Sequence, residues 1–229
     1  MKKRALFIAI VTLVGCSKIG NASPPSASSG PPPAPMAAPP KVTETAQRLQ
    51  RSYDSEAAGD LPAALAAIEP IQSSGHPGYV TDLRRGWLLY RLERYAESVA
   101  SYEKAIAYDR DAIEAKVGLL APLGAMHRWV DVEREARDIL GKDPGSYTAT
   151  IRLAYALYSQ AKFADAATTY RVLMASYPSD VDARAGLGWA LLKSGRTDLA
   201  HAAFDQTLEI SPRNALALEG ERAIPPNAK

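Results

Sequence analysis

Residues 147–180 read YTATIRLAYALYSQAKFADAATTYRVLMASYPSD, and residues 181–214 read VDARAGLGWALLKSGRTDLAHAAFDQTLEISPRN. The two stretches are equally long and place the same kinds of residue at the same offsets. Leu stands at offset 7 (Leu153, Leu187) and offset 11 (Leu157, Leu191), Ala at 20 (Ala166, Ala200), an aromatic at 24 (Tyr170, Phe204) and Pro at 32 (Pro178, Pro212). Inside one period the apolar residues form two runs with helical spacing. Ile151, Ala154, Leu157 and Tyr158 mark the first, and Phe163, Ala166, Ala167, Tyr170 and Leu173 the second. The pattern predicts two amphipathic helices per period. Gly195 suits a left-handed end to the first helix, and proline at offset 32 stops the second because it cannot continue it.

Working outward, Pro144 stands 34 residues before Pro178, and Asp109-Arg110 occupies the same place one period earlier. Segments 45–78, 79–112, 113–146, 147–180 and 181–214 then align without insertion or deletion. Offset 8 reads Ser52, Gly86, Leu120, Ala154, Gly188. Offset 17 reads Leu61, Tyr95, Trp129, Phe163, Thr197, and offset 24 reads Ile68, Tyr102, Ala136, Tyr170, Phe204. Small residues at 8 and 20 let paired helices approach closely. Three residues depart from the pattern, Leu120 at a small position and Arg51 and Arg85 at apolar offset 7, and they raise a question of local packing. Gly59, like Gly195, suits the end of a first helix. Ala215 to Ala223 reads as a short covering helix with Glu219, Glu221 and Arg222 for its wet face, stopped by Ile224-Pro225-Pro226.

These columns resemble the tetratricopeptide-repeat family. The resemblance covers residues 45–214, and is closest in the last two segments and weakest in the first. It implies an all-α, right-handed α-solenoid of five 34-residue helix-turn-helix repeats, with residues 215–229 as capping helix and tail. It also implies a concave groove lined by the first helices, at offsets 2, 5, 9, 12 and 13. Offset 9 reads Tyr53, Trp87, Ala121, Tyr155, Trp189, and offset 12 reads Glu56, Tyr90, Gly124, Tyr158, Leu192. Aromatics give large contact area with few torsions to freeze. Two readings stand side by side: a ladder that holds an extended or helical partner segment, or rings that pad the helices. Ala121 and Gly124 open a gap at the centre that would suit a bulky group.

Arg84, Arg91, Arg152, Arg184 and Lys193 lie near the rings, either to meet partner carboxylates or as solvated surface. The candidate groove residues are therefore Tyr53, Trp87, Tyr90, Arg91, Tyr155, Tyr158, Trp189 and Lys193. One subtype of the family grips a C-terminal carboxylate with Lys at offset 5 and Asn at offset 9. Offset 5 here reads Leu49, Leu83, Val117, Ile151, Ala185, and offset 9 holds no Asn, so that clamp is not expected.

Catalysis has little support. His76, His127 and His201 fall in different repeats, and no HExxH, phosphate loop or GxSxG occurs. No catalytic residue, metal ligand or cofactor is expected. Carboxylates are scattered at exposed helical spacing.

The chain opens MKKRALFIAIVTLVGCSKIG. Lys2, Lys3 and Arg4 precede an apolar run from Ala5 to Val14. That run is shorter than the roughly 20 residues needed to span a bilayer and has the build of a secretory signal. Leu13-Val14-Gly15-Cys16 resembles the lipobox of bacterial lipoproteins. The resemblance implies cleavage of residues 1–15 and acylation of Cys16, which stable anchoring by several chains would follow. With Ser17 rather than an aspartate after the cysteine, the outer membrane, facing the periplasm, is the expected address. Cys16 is the one cysteine of the chain, which leaves no disulfide framework. Residues 16–44 form an expected spacer. Its stretch 21–40, NASPPSASSGPPPAPMAAPP, has eight prolines and no apolar face to pack.

Of 229 residues, 47% are hydrophobic; Lys and Arg number 27 against 25 Asp and Glu. Without the leader's three cations the balance falls to 24 against 25, which gives nucleic acid no basic surface. The expected function is a membrane-anchored scaffold in the bacterial cell envelope, in pilus or secretin assembly or another envelope complex, which binds a protein partner in the groove. The alternatives are an adaptor that recruits peptidoglycan hydrolases or proteases, and a carbohydrate binder. Oligomeric state is left open.

Overall fold

The first-helix runs end, and the second begin, through one turn repeated five times. The computed structural model describes residues 43–73 and 78–225. The leader, Cys16, the proline-rich stretch 21–40 and His76 lie outside the described residues. Five helix pairs follow in order: α1 Glu44–Ala57 with α2 Leu61–Ser73, α3 Gly78–Arg91 with α4 Tyr95–Tyr108, and α5 Ile113–Ala125 with α6 Trp129–Lys142. Then come α7 Tyr147–Ser159 with α8 Phe163–Ser176, α9 Val181–Lys193 with α10 Thr197–Ile210, and the covering helix α11 Ala215–Ala223. Each pair packs on the next.

Offset 15 takes positive φ in every repeat: Gly59 at 82°, Glu93 at 61°, His127 at 56°, Ala161 at 59° and Gly195 at 79°. The next residue's N–H then closes on the carbonyl five residues back. Arg94 bonds Leu89, Arg128 bonds Leu123, Lys162 bonds Leu157 and Arg196 bonds Leu191, all at 2.9 Å. This is a Schellman-type close. Three repeats make it without glycine, against a left-handed penalty of roughly 1–2 kcal/mol each. At the other end, Asp143, Tyr177 and Ser211 leave the helical region, with φ of −129°, −130° and −132°, and the proline after each disfavours helical backbone there. α4 stops in the same way without a proline: the Asp109 carboxylate accepts the N–H groups of Asp111 and Ala112.

The pairs are held together by the ring at offset 24. A Cβ on Gly86, at offset 8 of the same repeat, would stand 2.9 Å from the Tyr102 ring. A Cβ on Gly118, at offset 6 of the next repeat, would run into the other side of Tyr102. Tyr170 meets Gly186 in the same way, 2.6 Å from a would-be Cβ, and Phe204 meets both Gly188 and Gly220. Where offset 24 is Ala136 the fully buried Leu120 stands at offset 8, so the larger side chain compensates for the missing ring. That accounts for the departure at Leu120. Arg85 has a different answer: its Nη1 donates to Ser101 Oγ at 2.7 Å, and a polar contact replaces the usual apolar one. Arg51 is exposed.

The buried apolar residues fall into two clusters. Ala64, Leu65, Ile68, Ile71, Leu88 and Leu89 make the first; the second runs from Val99 to Ile224. Polar contacts cross from the first pair to α3. Arg84 Nε donates to Ser52 Oγ at 2.7 Å, and Gln72 Nε2 to Asp82 Oδ1 at 3.0 Å. At the other end α11 covers the stack with Ala217, Gly220 and Ile224 buried. The expectation that Glu221 faces water is corrected: its carboxylate lies 2.7 Å from His201 Nδ1 and clamps α11 to α10.

Gly118→Ala is expected to destabilise the protein by about 1–3 kcal/mol through overpacking. Most of that loss should vanish in a Tyr102→Leu background. A double-mutant cycle in urea checks it, and an additive result would refute the ring-on-glycine contact.

Candidate functional site

The rings of the first helices do not form one continuous ladder. They gather in two cavities on the face lined by α1, α3, α5, α7 and α9. The smaller, about 420 Å³, is lined by Tyr53, Glu56, Arg84, Trp87, Tyr102 and Glu114 with Val80, Leu83, Val117 and Gly118. The larger, about 860 Å³, lies between α7, α9 and α11 and includes Tyr147, Arg152, Tyr155, Tyr158, Trp189 and Lys193. Offsets 2, 5, 9, 12 and 13 all reach one cavity or the other.

Six of the eight candidate residues therefore line a cavity. Tyr53 and Trp87 face the smaller one, with 48% and 39% of their surface exposed. Tyr155, 50% exposed, faces the larger with Tyr158, Trp189 and Lys193. Tyr90 lines neither. It leans between Trp87, 6.3 Å away, and Tyr95, 5.9 Å away, and so serves as packing. Arg91 also lines neither; its guanidinium sits 5.3 Å from the Trp87 ring centre and 3.9 Å from Glu56.

The central gap at Ala121 and Gly124 belongs to neither cavity. Trp129, from the start of α6, lies over Gly124 and meets the edge of Tyr155 at 5.3 Å. The expected space for a bulky group is thus taken by a ring of the chain itself.

Glu56 organises the smaller cavity. It accepts Trp87 Nε1 at 2.6 Å and Arg84 Nη1 at 3.0 Å. Arg84 is 94% buried by its 6% exposure and stacks 3.6 Å above the Tyr53 ring. Its Nη2 has no hydrogen-bond partner. Burial alone would raise the Glu56 carboxyl, but the Trp87 and Arg84 hydrogen bonds and the Arg84 and Arg91 charges hold it below its ordinary value.

In the larger cavity Tyr147 is pinned. Its hydroxyl donates to Asp180 Oδ2 at 2.7 Å, and that bond with burial pushes its pKa up to about 12. Trp189 is pinned too, its Nε1 donating to Leu216 O at 3.0 Å. Lys193 Nζ lies 5.8 Å from the Trp189 ring centre.

Tyr170, Arg152, Gly186, Leu216 and Glu219 also line this cavity and were absent from the candidate set. Tyr170 belongs to a second helix. It reaches the groove because Gly186 has no side chain to cover it. The signal was present in the sequence: Gly118, Gly186 and Gly220 at offset 6 follow the repeats with a ring at offset 24, whereas Arg84 and Arg152 follow Ile68 and Ala136.

Among the described residues, His201, Asp205 and Glu221 form one group with metal-ligating side chains. His201 turns Nδ1 to Glu221 and Nε2 to Asp205 at 3.4 Å.

These features define an α-solenoid of antiparallel helix pairs whose concave side chains are open to a ligand. Tetratricopeptide-repeat family models match residues 134–215 and 83–111. Residues 83–111 and 134–215 thus carry tetratricopeptide repeats, and the five helix pairs have the fold of that family. A MamA crystal structure is 17% identical with a TM-score of 0.69, over 75% of this chain and 94% of that one. MamA from Desulfovibrio magneticus RS-1 is 13% identical with a TM-score of 0.71, over 75% and 97%. YrrB, described as a TPR protein with an unusual peptide-binding site, is 15% identical with a TM-score of 0.69, over 76% and 90%. At these identities the likeness is one of fold. No curated protein matches the sequence.

Glu56→Gln keeps one of the two acceptor oxygens, sets an amide NH2 donor at the other, and leaves the Arg84 charge without its partner. A loss of about 2 kcal/mol at pH 7 is expected, below the full value for a buried pair because Glu56 stays partly wet. A depressed carboxyl stabilises the fold above its unfolded pKa and loses that contribution as pH falls through the folded value. The gap between variant and native protein should therefore narrow below about pH 4.5. Denaturant unfolding against pH measures it, and a gap that widens in acid would contradict the pairing.

Proposed function

We propose that the protein is a scaffold of the bacterial cell envelope, tethered by lipid on Cys16, which holds an extended segment of a partner protein against its concave face in the assembly of an envelope complex such as a pilus or secretin. The observation that carries the reading is the larger groove, about 860 Å³ and walled by Tyr147, Tyr155, Tyr158 and Trp189. Interface energetics concentrate in such aromatic anchors. Tyr155 leaves half its surface in water, although every neighbouring helix had the chance to cover it. YrrB, a TPR protein with an unusual peptide-binding site, offers a parallel for this use of the fold.

The tether rests on sequence: the basic start, the short apolar run and Leu13-Val14-Gly15-Cys16. Among the described residues no helix is long and apolar enough to cross a membrane. Ser17 supports the outer membrane as the address, and the proline-rich stretch supports a stand-off between lipid and repeats.

The test pairs the native chain with a Trp87→Ala/Tyr155→Ala variant in crosslinking and capture from envelope extract. Trp189 is spared because its indole N–H holds α11. Partners retained by the native chain and reduced at least tenfold in an equally stable variant are expected. The same partners on both would move binding off the groove. In the same extract Cys16→Ala should shift the protein from the detergent to the aqueous phase; an unchanged partition would remove the lipid tether.

A further inference from the structure

The groove between α7, α9 and α11 has a hydrogen-bonding character that narrows its occupant, and the inference rests on the groove reading above. The Tyr158 and Tyr170 hydroxyls make no hydrogen bond within the described protein. Burial, then the neighbouring Tyr155, raises the Tyr158 pKa; burial, then Tyr155 and Tyr158, raises that of Tyr170. The three phenols line the same cavity, and these two keep their protons. Arg152 and Lys193 add N–H donors, and neither pairs with a carboxylate among the described residues. The opposing acceptors are Glu219 and Asp182, and Asp182 Oδ1 already takes Asn214 Nδ2. The two cations and two anions cancel, so the groove suits an uncharged ligand.

Its walls are helices that use their own backbone groups, so an incoming strand finds no edge to extend. A helical ligand keeps its carbonyls to itself and leaves the phenols unanswered. Polyproline II leaves its carbonyls free. Proline carries no N–H, and its flat ring packs on aromatic faces. The α7 face from Tyr147 to Tyr158 runs about 16 Å at 1.5 Å per residue, room for about five polyproline II residues at 3.1 Å each.

We propose that this groove binds an uncharged proline-rich segment of a partner protein in the polyproline II conformation, with the Tyr155, Tyr158 and Tyr170 hydroxyls donating to its carbonyl oxygens and a proline ring packed on Trp189.

Residues 42–229 form one compact unit that contains both apolar cores, so the test uses that fragment in titration calorimetry. The probe is the peptide PPPAPMAAPP, the uncharged sequence of residues 31–40, beside a copy with every proline replaced by alanine and a chito-oligosaccharide. The proline peptide is expected to bind at least tenfold more tightly than the other two. Tyr155→Phe/Tyr158→Phe keeps both rings, and should weaken the proline peptide about tenfold while melting at the same temperature. No binding of the proline peptide, equal binding of the alanine peptide, or an unchanged affinity without the two hydroxyls overturns the proposal. If the alanine peptide or the sugar binds and Tyr155→Ala abolishes it, the groove remains a binding site and only the proline class falls. If no probe binds and partner capture ignores Trp87→Ala/Tyr155→Ala, the groove reading falls with it.

Discussion

A ring pressed onto a glycine is the contact on which the rest of this protein depends. Tyr102, Tyr170 and Phe204 each sit where a Cβ on the following repeat's glycine would collide with them. Close approach of backbone to ring puts many weak dispersion contacts on one flat surface. It also sets the spacing between successive pairs, since a ring pressed on a bare backbone has little room to shift. Where no ring exists, at Ile68 and Ala136, the next repeat carries an arginine at the glycine's place. Arg84 then holds its neighbour by charge and hydrogen bonds to Ser52 and Glu56, while Arg152 turns into the groove.

The same contact builds the site. With glycine at the window, the ring beneath becomes the floor of the cavity: Tyr102 under the smaller, Tyr170 under the larger. Fold and recognition therefore draw on one set of atoms. Tyr170 is 5% exposed and counts as core by any packing measure, yet its hydroxyl belongs to the groove.

Much of this was legible in the chain. Offsets 8, 11, 20 and 24 named the core faces because burial acts on each column independently, and Leu89, Leu157 and Phe204 are buried as their columns require. The concave offsets were also readable, and they located Tyr53, Trp87, Tyr155, Tyr158 and Trp189. What single columns do not show is compensation between columns. Glycine at offset 6 has meaning only beside a ring at offset 24, and Leu120 only beside Ala136. Nor does composition reveal that the Trp129 ring lies against Gly124, or that Glu221 turns to His201. Left-handed backbone at Glu93, His127 and Ala161 was hidden for another reason: the Schellman close dictates the conformation, and residue preference only follows it.

The split of the apolar core has a further meaning. In stacked repeats cohesion is a sum of nearest-neighbour terms, and here those terms are unequal. From Val99 onward one apolar cluster links pair to pair, whereas the first pair meets α3 partly through Ser52–Arg84 and Gln72–Asp82. Polar contacts of this kind hold geometry well but contribute only about 0.5–1.5 kcal/mol each on balance. The first cluster nevertheless reaches past the first pair: Ala64, Leu65, Ile68 and Ile71 of α2 gather with Leu88 and Leu89 of α3, while Tyr79 and Leu83 of the same helix pack against the second cluster. α3 thus belongs to both cores, and it is the helix through which the leading pair is coupled to the rest of the stack.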